Sequence, residues 1–312
     1  MEVDHKAALR LTYRVCDDAL RARKDAIRAT TCGAEVGPLV GRRVVAAVDG
    51  GRVNTRRRVA GRRRKGGRQP FETEWREPKV LTIYVLGPDG RRDRAVSPVI
   101  DGTLGDADAV FELLGYHLLR LGGCHAAEVI LVGDGAPWIW NRASALREQL
   151  GIPQGAFREV VDYFHVVERL GDVATAMTSW TEEMRQAWLK VQKDHLKAGR
   201  VEAIESNLRS IGTRTPQMTA DPQYWGRNRE RMRYASFRAD GVPIGSGAVE
   251  SAVRRVINLR MKGASIVWEE GHAEGILHLR AHAKSGRWDE LEHAVLTHTR
   301  WRPTARAARQ AA

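Results

Sequence analysis

Short β-branched segments that alternate with longer helical ones constrain the fold of this chain most strongly. Five apolar runs predict strands, and they lie in RRVVAAVDGG, KVLTIYVLGPDGR, RDRAVSPVIDG, AEVILVGDG and REVVDYF. Helical periodicity separates the third run from the fourth and the fourth from the fifth. The order strand-strand-strand-helix-strand-helix-strand indicates an α/β fold with a mixed sheet, in which the second and third strands are antiparallel.

Helical patterns also flank this strand-rich region. Residues 4–30 form one amphipathic pattern, and from about 166 to 235 only helical signals occur. We therefore expect five parts along the chain. They are an N-terminal helix and linker (1–38), a first part of the α/β core (39–165), an all-α insertion (166–240), a last part of the core with C-terminal helices (241–300) and a basic tail (301–312).

Composition and cysteine spacing indicate the cellular compartment. Hydrophobic residues make up 43% of the chain, yet it has no apolar run of about 18 residues and no secretory signal pattern. The three cysteines lie far apart without CxxC spacing, which predicts neither a zinc finger nor a disulfide framework. We expect a cytoplasmic protein.

The charge balance indicates a polyanionic partner. Lys and Arg number 51 against 38 acidic residues, which gives a net charge of +13. Much of the excess follows the first strand, where a phosphate-contacting loop or extended hairpin is favoured over a solvated loop without a partner. The candidate nucleic-acid contacts are Arg52, Arg56, Arg57, Arg58, Arg62, Arg63, Arg64, Lys65 and Arg68, with Arg254 and Arg255 farther along the chain.

Three acidic residues fall where they could share one end of the sheet. Asp49 ends the first strand and Asp134 the fourth, while Glu250 lies in the first turn of a helix after GVPIGSG. Carboxylates without a nearby Cys/His pair favour Mg²⁺, with Mn²⁺ as the second choice. An Asp-Gly pair after a strand is nevertheless most often a turn, and we interpret Asp101-Gly102 as only a turn.

Two further patterns involve histidine. Asp162 and His165 lie where the fifth strand passes into a helix, and they could serve a metal or phosphate site as readily as a helix cap or core. His278 and His282 have the spacing of a metal-binding pair, but a solvated helix face is the favoured interpretation. Position 244 is Ile, which excludes a nucleophile elbow at Ser246, and no P-loop pattern is present.

Six segments in the same order resemble a known family. They are AVDGGRVNTR, EWREPKV, GDGAPWIW, VVDYFHVVERL, RMRYASFRADGVPIGSGAVESAVRRV and LRAHAKSGRWDE, and they span roughly residues 42–292. They look like insertion-sequence transposases of the ISKra group, which are similar to the wider Mutator-like transposases. The resemblance implies an RNase H-like fold with an all-α insertion before the last catalytic helix.

The resemblance also implies roles for individual residues. Asp49, Asp134 and Glu250 match the catalytic, metal-binding DDE triad, and Asp162 and His165 match an accessory Asp-x-x-His motif. The implied activity is Mg²⁺-dependent cleavage and strand transfer of double-stranded DNA at element ends and target, by a homo-oligomer on DNA.

Members of the group have a longer helical DNA-binding region before the core, so we expect residues 1–38 to be its remnant. A DNA-binding remnant that does not transpose and an RNase H-like nuclease with other substrates are the alternative functions.

Overall fold

A mixed five-stranded sheet organises the structure, a computed structural model that describes residues 4–31, 36–61, 69–211 and 223–298. The strands, numbered along the chain, are β1 (Arg43–Gly50), β2 (Val53–Arg58), β3 (Phe71–Arg76), β4 (Lys79–Leu86), β5 (Val99–Thr103), β6 (Glu128–Gly133), β7 (Phe157–Val161) and β8 (Trp268–Glu269).

Helices precede, separate and follow the strands. They are α1 (His5–Ala29), α2 (Ala107–Arg120), α3 (Pro137–Leu150), α4 (Tyr163–Ala176), α5 (Glu182–Lys197), α6 (Val201–Ser210), α7 (Tyr224–Asn228), α8 (Tyr234–Ala239), α9 (Gly247–Val253), α10 (Glu270–Ser285) and α11 (Trp288–His298). A π-helical turn, Arg254–Asn258, extends α9.

The order of the main sheet is β5-β4-β1-β6-β7. β1 pairs antiparallel with β4, and β4 pairs antiparallel with β5. On the other side of β1, β6 pairs parallel with β1, and β7 pairs parallel with β6. The α/β class, the mixed sheet and the antiparallel pairing of the second and third predicted strands are thereby confirmed.

The sheet is buried on both faces. Val44 to Val48 in β1 are each at most 1% exposed. Because successive side chains of a strand point to opposite faces, uninterrupted burial requires cover on both sides. Helix α9 packs on β1 and β4, α2 on β4 and β5, and α10 on β5. A continuous run of β-branched residues therefore predicts these strands better than an alternation of apolar and polar residues would.

A second sheet, in the order β3-β2-β8, contains the arginine-rich segment. Strands β2 and β3 pair antiparallel, from Val53 opposite Arg76 to Arg58 opposite Phe71. The alternative of an extended hairpin is thus confirmed for the two arms. Five of the predicted nucleic-acid contacts lie outside the described residues: Arg62, Arg63, Arg64, Lys65 and Arg68.

The helix boundaries follow local signals. Asp106 caps α2, because its side chain accepts a hydrogen bond from the backbone N–H of Ala109 at 3.0 Å. Pro137 opens α3, and Gly151 ends it with φ 65°, a left-handed conformation in which glycine avoids strain. Both ends of α3 lie where the sequence predicts them.

Helix α1 is attached to the rest of the structure through a buried charge cluster. Asp101 on β5 is fully buried, and Arg23 of α1 donates from Nη1 to its Oδ1 at 3.2 Å. His117 lies 3.0 Å from Oδ2 and His278 3.1 Å from Oδ1. The interpretation of Asp101-Gly102 as only a turn is therefore wrong. The pair lies inside β5, and the Asp101 carboxylate contacts side chains of the three helices α1, α2 and α10.

The charge of Asp101 is compensated by its surroundings. Burial alone would raise the pKa of this carboxyl, but His278 and Arg23, with hydrogen bonds from His117 and His278, hold the pKa well below its usual range. Arg120 donates from Nε to Nδ1 of His117 at 3.2 Å, so Nδ1 accepts and Nε2 donates to Asp101. The neutral tautomer of His117 thus satisfies both neighbours.

The favoured interpretation of His278 and His282 as a solvated helix face is also wrong. They are only 4% and 6% exposed, and both face the buried side of α10. His282 Nδ1 bonds the carbonyl oxygen of His278 at 3.1 Å. Helical spacing alone cannot distinguish an exposed face from one that a distant element covers.

The cysteines and the helices bear on the predicted compartment. Cys16 is free and buried, whereas Cys124 is disulfide-bonded, a bond that the cysteine spacing does not predict. Among the described residues, no helix is both long enough and apolar enough to cross a bilayer.

The contact between α1 and α10 generates a first prediction. A methyl group added at Gly275 would lie 2.4 Å from Cys16 Cβ on α1, whereas one at Gly271, in the same helix, meets nothing within 4 Å. Gly275→Ala is expected to lower the free energy of unfolding by about 1–3 kcal/mol, because α1 must shift. Gly271→Ala is the matched control and should leave stability unchanged or raise it by about 0.5 kcal/mol. Urea denaturation measures both, and equal stabilities would contradict the described packing.

The buried histidines generate a prediction on pH. Burial lowers the pKa of His117 despite the opposing hydrogen bond to Asp101, and burial with the charge of His278 lowers that of His282. The unfolded chain therefore binds protons below about pH 6.5 that the folded chain does not, so stability falls as the pH falls through that value. Urea denaturation at pH 7.5, 6.5 and 5.5 should show this loss. The slope should decrease in His117→Gln but not in His293→Gln, since position 293 is exposed.

Candidate metal centre

Each of the three parallel strands is followed or ended by an aspartate at the same edge of the sheet. Asp49 is the second-to-last residue of β1, Asp134 directly follows β6 and Asp162 directly follows β7. The register pairs Ala47 with Val132 and Gly133 with Val161, so the three strands end side by side. The parallel arrangement, rather than proximity in sequence, brings these carboxylates together.

Each of the three aspartates accepts a hydrogen bond from a backbone N–H one or two residues later in the chain. Oδ1 of Asp49 accepts from Gly50 at 2.7 Å, that of Asp134 from Ala136 at 2.9 Å, and that of Asp162 from Phe164 at 2.6 Å. In Asp49 and Asp134 the second oxygen makes no hydrogen bond within the described part of the chain. Each of these two residues therefore has one oxygen held and one available as a ligand.

The loop after Asp134 is fixed by close contacts. Trp140 donates its indole N–H to the carbonyl oxygen of Asp134 at 3.0 Å. A Cβ at Gly135 would lie 2.1 Å from the ring of Tyr224, so only glycine fits under that ring. The two contacts hold the Asp134 backbone between α3 and α7.

Asp162 is a structural anchor. It is fully buried, and its Oδ2 accepts from the backbone N–H of Ser246 at 2.6 Å and from the Ser246 hydroxyl. Tyr163 donates its backbone N–H to the carbonyl oxygen of Ile244 at 2.8 Å. A Cβ at Gly245 would lie 2.9 Å from the Phe164 ring, which explains a glycine at this crossing. These bonds attach the return segment 244–246 to the end of β7.

Glu250 is positioned by this attachment, because it lies one helical turn after Ser246 in α9. Its Oε1 is 3.0 Å from the Ser246 hydroxyl oxygen. That hydroxyl has a single hydrogen, which the shorter bond to Asp162 takes. The Ser246 hydroxyl therefore lies between the carboxylates of Asp162 and Glu250 and contacts both. The predicted position of Glu250 in the first turn of a helix after GVPIGSG is confirmed.

His165 lies on the first turn of α4, partly buried. Burial opposes its protonation, but the carboxylates of Asp162 and Glu168 outweigh this effect and raise its pKa. Its Nδ1 is 3.2 Å from Oε2 of Glu168. These two carboxylates therefore favour the protonated form of the His165 ring.

One group of residues is compact enough to hold a metal ion. Ligand atoms of Asp162, His165 and Glu250 all lie within 4.8 Å of one another. This compact group shares Glu250 with the predicted triad and contains both residues predicted as accessory. Asp49 and Asp134 lie outside it, so the predicted metal ligands do not form one compact group by themselves.

Asp49 nevertheless belongs to the same electrostatic neighbourhood. Burial raises the pKa of Asp49, and the charges of Asp134 and Glu250 raise it further, while the bond from Gly50 and the nearby His165 oppose the shift. Among the described residues, no Lys or Arg forms an ion pair with Asp49, Asp134 or Glu250. Carboxylates that repel one another without a fixed counter-cation favour binding of a metal ion.

A cleft of about 720 Å³ opens beside Asp134 and His165. Basic side chains, Arg169 and Arg227, line it together with Glu168, Asp172 and Tyr224. Arg169 lies over the Tyr224 ring, 4.0 Å from its centroid. The cleft therefore offers cationic and aromatic groups next to the carboxylates.

The predicted nucleic-acid contacts occupy two places in the described structure. Arg52, Arg56, Arg57 and Arg58 lie on or next to β2. Arg254 is exposed, whereas Arg255 donates to the backbone oxygens of Ser251 and Lys284 at 3.2 and 3.4 Å. Residue reasoning did not single out Ser246 as the link between Asp162 and Glu250, because no local pattern predicts that contact.

Comparisons of the chain with protein-family models, with characterised proteins and with solved structures find no match.

The anchoring role of Asp162 is testable by an isosteric change. Asp162→Asn replaces one acceptor oxygen with an N–H₂ donor, which must face the N–H of Phe164 or the N–H of Ser246. Stability should fall on the order of 3 kcal/mol, since a buried donor is left unsatisfied. Asp172→Asn, at an exposed position of the same cleft, is the control and should unfold at the wild-type urea concentration. Equal stability of the two variants would show that the attachment of segment 244–246 does not depend on Asp162.

Proposed function

We propose that this chain is the catalytic core of a DDE-type DNA transposase that uses divalent metal ions to cleave and join phosphodiesters. The observation that carries the proposal is the placement of Asp49 and Asp134 at the ends of neighbouring parallel strands, close enough to Glu250 for its charge to raise the pKa of Asp49, without a Lys or Arg ion pair among the described residues. The resemblance to ISKra-group transposases, which places the triad on these three residues, supports it.

The sheet supports the finer assignment of an RNase H-like fold. If its five strands are numbered in the order in which the chain enters the sheet, their spatial order is 3-2-1-4-5. The first three strands are antiparallel, and strands four and five are parallel to the first. This is the arrangement that the resemblance implies, with carboxylates after the first and fourth strands and on a later helix.

The donor set fits hard divalent cations. Asp49 and Asp134 each offer one carboxylate oxygen that is not hydrogen-bonded within the described residues, and Glu250 is exposed at its carboxylate. Mg²⁺ and Mn²⁺ prefer such oxygens, and His165 in the compact group makes Mn²⁺ a suitable second ion. When bound, the ions would supply charge neutralisation at the phosphodiester and activation of water or a 3′-hydroxyl.

The side chains of this chain have separable tasks in that reaction. Asp49 and Asp134 hold the metal side of the site rigidly, because each has one oxygen fixed by a backbone N–H. Asp162 positions Glu250 through Ser246. His165 lines the cleft, where a ring N–H can donate a hydrogen bond to a phosphate oxygen. The exposed arginines of β2 contact phosphates along the duplex.

The test is cleavage of duplex DNA from the genomic flanks of the coding sequence, with Mg²⁺ or Mn²⁺ and with EDTA as the metal-free control. Asp134→Asn should lower the rate of strand cleavage at least about 100-fold, because one metal ligand loses its charge. Its affinity for the same duplex, measured without metal, should stay within about twofold. Asp172→Asn, which lines the same cleft, is the matched control and should cleave at the wild-type rate.

Three outcomes would contradict the proposal. Cleavage by Asp134→Asn at the wild-type rate would overturn the assignment of the triad. Duplex binding without any product from the wild-type chain would favour a DNA-binding remnant. Efficient cleavage of RNA–DNA hybrid but not of duplex DNA would favour a nuclease of another substrate class.

A further inference from the structure

We propose that the outward face of the β2–β3 hairpin binds unstacked bases of a nucleic-acid strand, with Trp75 and Phe71 as stacking platforms. This inference adds a single-strand site to the proposed function, and it rests on the hairpin rather than on the carboxylates. The support comes from the geometry, exposure and charge of the hairpin and from its position next to Asp49.

Strand register assigns the two faces of the hairpin. Directly opposite residues of an antiparallel pair share a face, and the pairs Asn54–Trp75 and Arg58–Phe71 therefore lie on the same side. The pair Val53–Arg76 lies on the other side, where Val53 is fully buried. The face with the two aromatic rings is consequently the outward one.

Both rings are exposed. Trp75 is 51% exposed and Phe71 43% exposed, as are Phe164 (59%) and Trp288 (46%) elsewhere, whereas aromatic side chains such as Tyr234 and Phe237 are buried in the core. Large apolar surface in water is unfavourable, and exposed aromatic side chains near charges often mark binding surfaces. The exposure of both rings shows that the described part of the chain leaves this face largely uncovered.

Arginines accompany both rings. The Arg52 guanidinium lies 5.5 Å from the centroid of Trp75, and that of Arg56 lies 5.5 Å from the centroid of Phe71. Such a pair offers a cation to a phosphate and an aromatic surface to the neighbouring base. Stacking on an aromatic ring requires that a base leave its own stack, so paired bases inside a duplex cannot use Trp75 in this way.

Charge is segregated between the two faces. The acidic residues of the hairpin, Glu72 and Glu74, lie opposite Arg57 and Thr55, hence on the inward side. Arg57 lies 3.7 Å from Glu72, so its charge is partly compensated there. The outward face carries Arg52, Arg56 and Arg58; β2 and β3 add no acidic residue to it, and Glu269 of β8 pairs with Arg58 at 3.1 Å. A polyanion fits this face better than a second copy of a chain with net charge +13.

The hairpin begins next to the carboxylate site, because β2 starts four residues after Asp49. Gly50 and Gly51 separate Asp49 from Arg52 along the chain. The Gly51 N–H donates a hydrogen bond to the carbonyl oxygen of Pro78 at 2.8 Å. A Cβ at Gly51 would lie 2.5 Å from Cδ1 of Ile257, so the root of the hairpin is tightly packed. A base on Trp75 would therefore belong to a nucleotide close to the phosphodiester at Asp49.

The spacing of the rings sets the length of strand that the face accommodates. Trp75 and Phe71 are four residues apart on one strand, which corresponds to about 13 Å. Stacked nucleotides advance about 3.4 Å along a strand and unstacked ones farther, so the two rings span at most about four nucleotides. The site thus fits a short unpaired segment next to the cleaved bond.

The experiment compares binding of a fluorescent 12-nucleotide single strand and of the matching duplex, with EDTA present and in the Asp134→Asn background. Trp75→Ala should weaken single-strand binding roughly tenfold and change duplex binding less than about twofold. Trp75→Phe should restore most of the affinity, because a ring is kept. Trp288→Ala removes a tryptophan of similar exposure, 46%, outside the hairpin and should have no effect.

Two results would overturn the inference. Equal loss of single-strand and duplex affinity in Trp75→Ala would mean that the residue supports a backbone contact only. Unchanged single-strand affinity together with an altered oligomeric state would mean that the face joins two copies of the chain. Since metal and cleavage are absent from this assay, tenfold weakening can be observed even if the proposed transposase activity fails, and the reverse also holds.

Discussion

The link between Asp162 and Ser246 is the interaction on which the arrangement of the candidate site depends. It joins residues that are 84 positions apart in the sequence, and it is fully buried. Between them the chain leaves the sheet through α4 and the following helices. A buried carboxylate that accepts two backbone N–H groups and a hydroxyl fixes where the chain returns. Glu250 reaches the sheet edge because that return point is fixed one helical turn before it.

Two groups of buried or half-buried acids show opposite solutions to the same electrostatic problem. Asp101 is compensated by Arg23, His117 and His278, and its pKa is held well below the usual range. Asp49 has no comparable partner, and its pKa is raised by burial and by neighbouring carboxylates. In a chain with 51 basic residues, the absence of a Lys or Arg partner at Asp49 in the described structure is not a shortage of cations. The first group stabilises the attachment of α1, and the second leaves negative charge available for a ligand.

Much of the sheet was predictable because it depends on local sequence. Runs such as VVAAV exclude exposed strands, and the alternation of runs with capped helices predicts the mixed sheet. Turn residues placed both ends of α3 correctly. Asp49 and Asp134 were predicted together at one sheet edge because both end strands, but no rule of sequence spacing measures how far apart their oxygens lie.

The errors concern contacts between distant segments. Asp101-Gly102 has the local pattern of a turn, and only Arg23, 78 residues away, reveals why an aspartate is tolerated inside a strand. The spacing of His278 and His282 favours a solvated helix face, because it does not show that α1 and α11 cover that part of α10. The disulfide at Cys124 has no CxxC pattern to predict it. Each of these features is determined by packing, which local propensity does not contain.

Separation of charge connects the two functional surfaces. The sheet edge concentrates carboxylates, and the outward face of the hairpin concentrates arginines and exposed rings, yet only two glycines, Gly50 and Gly51, separate Asp49 from Arg52 along the chain. In the proposed function, a nucleic-acid backbone held by the arginines would approach the carboxylates against their repulsion, so its binding at the sheet edge would require a cation between them. The strand would then be held both at the hairpin and at the sheet edge. The tight packing of Gly51 against Ile257 then matters more than any single arginine, because it keeps the two points at a constant separation.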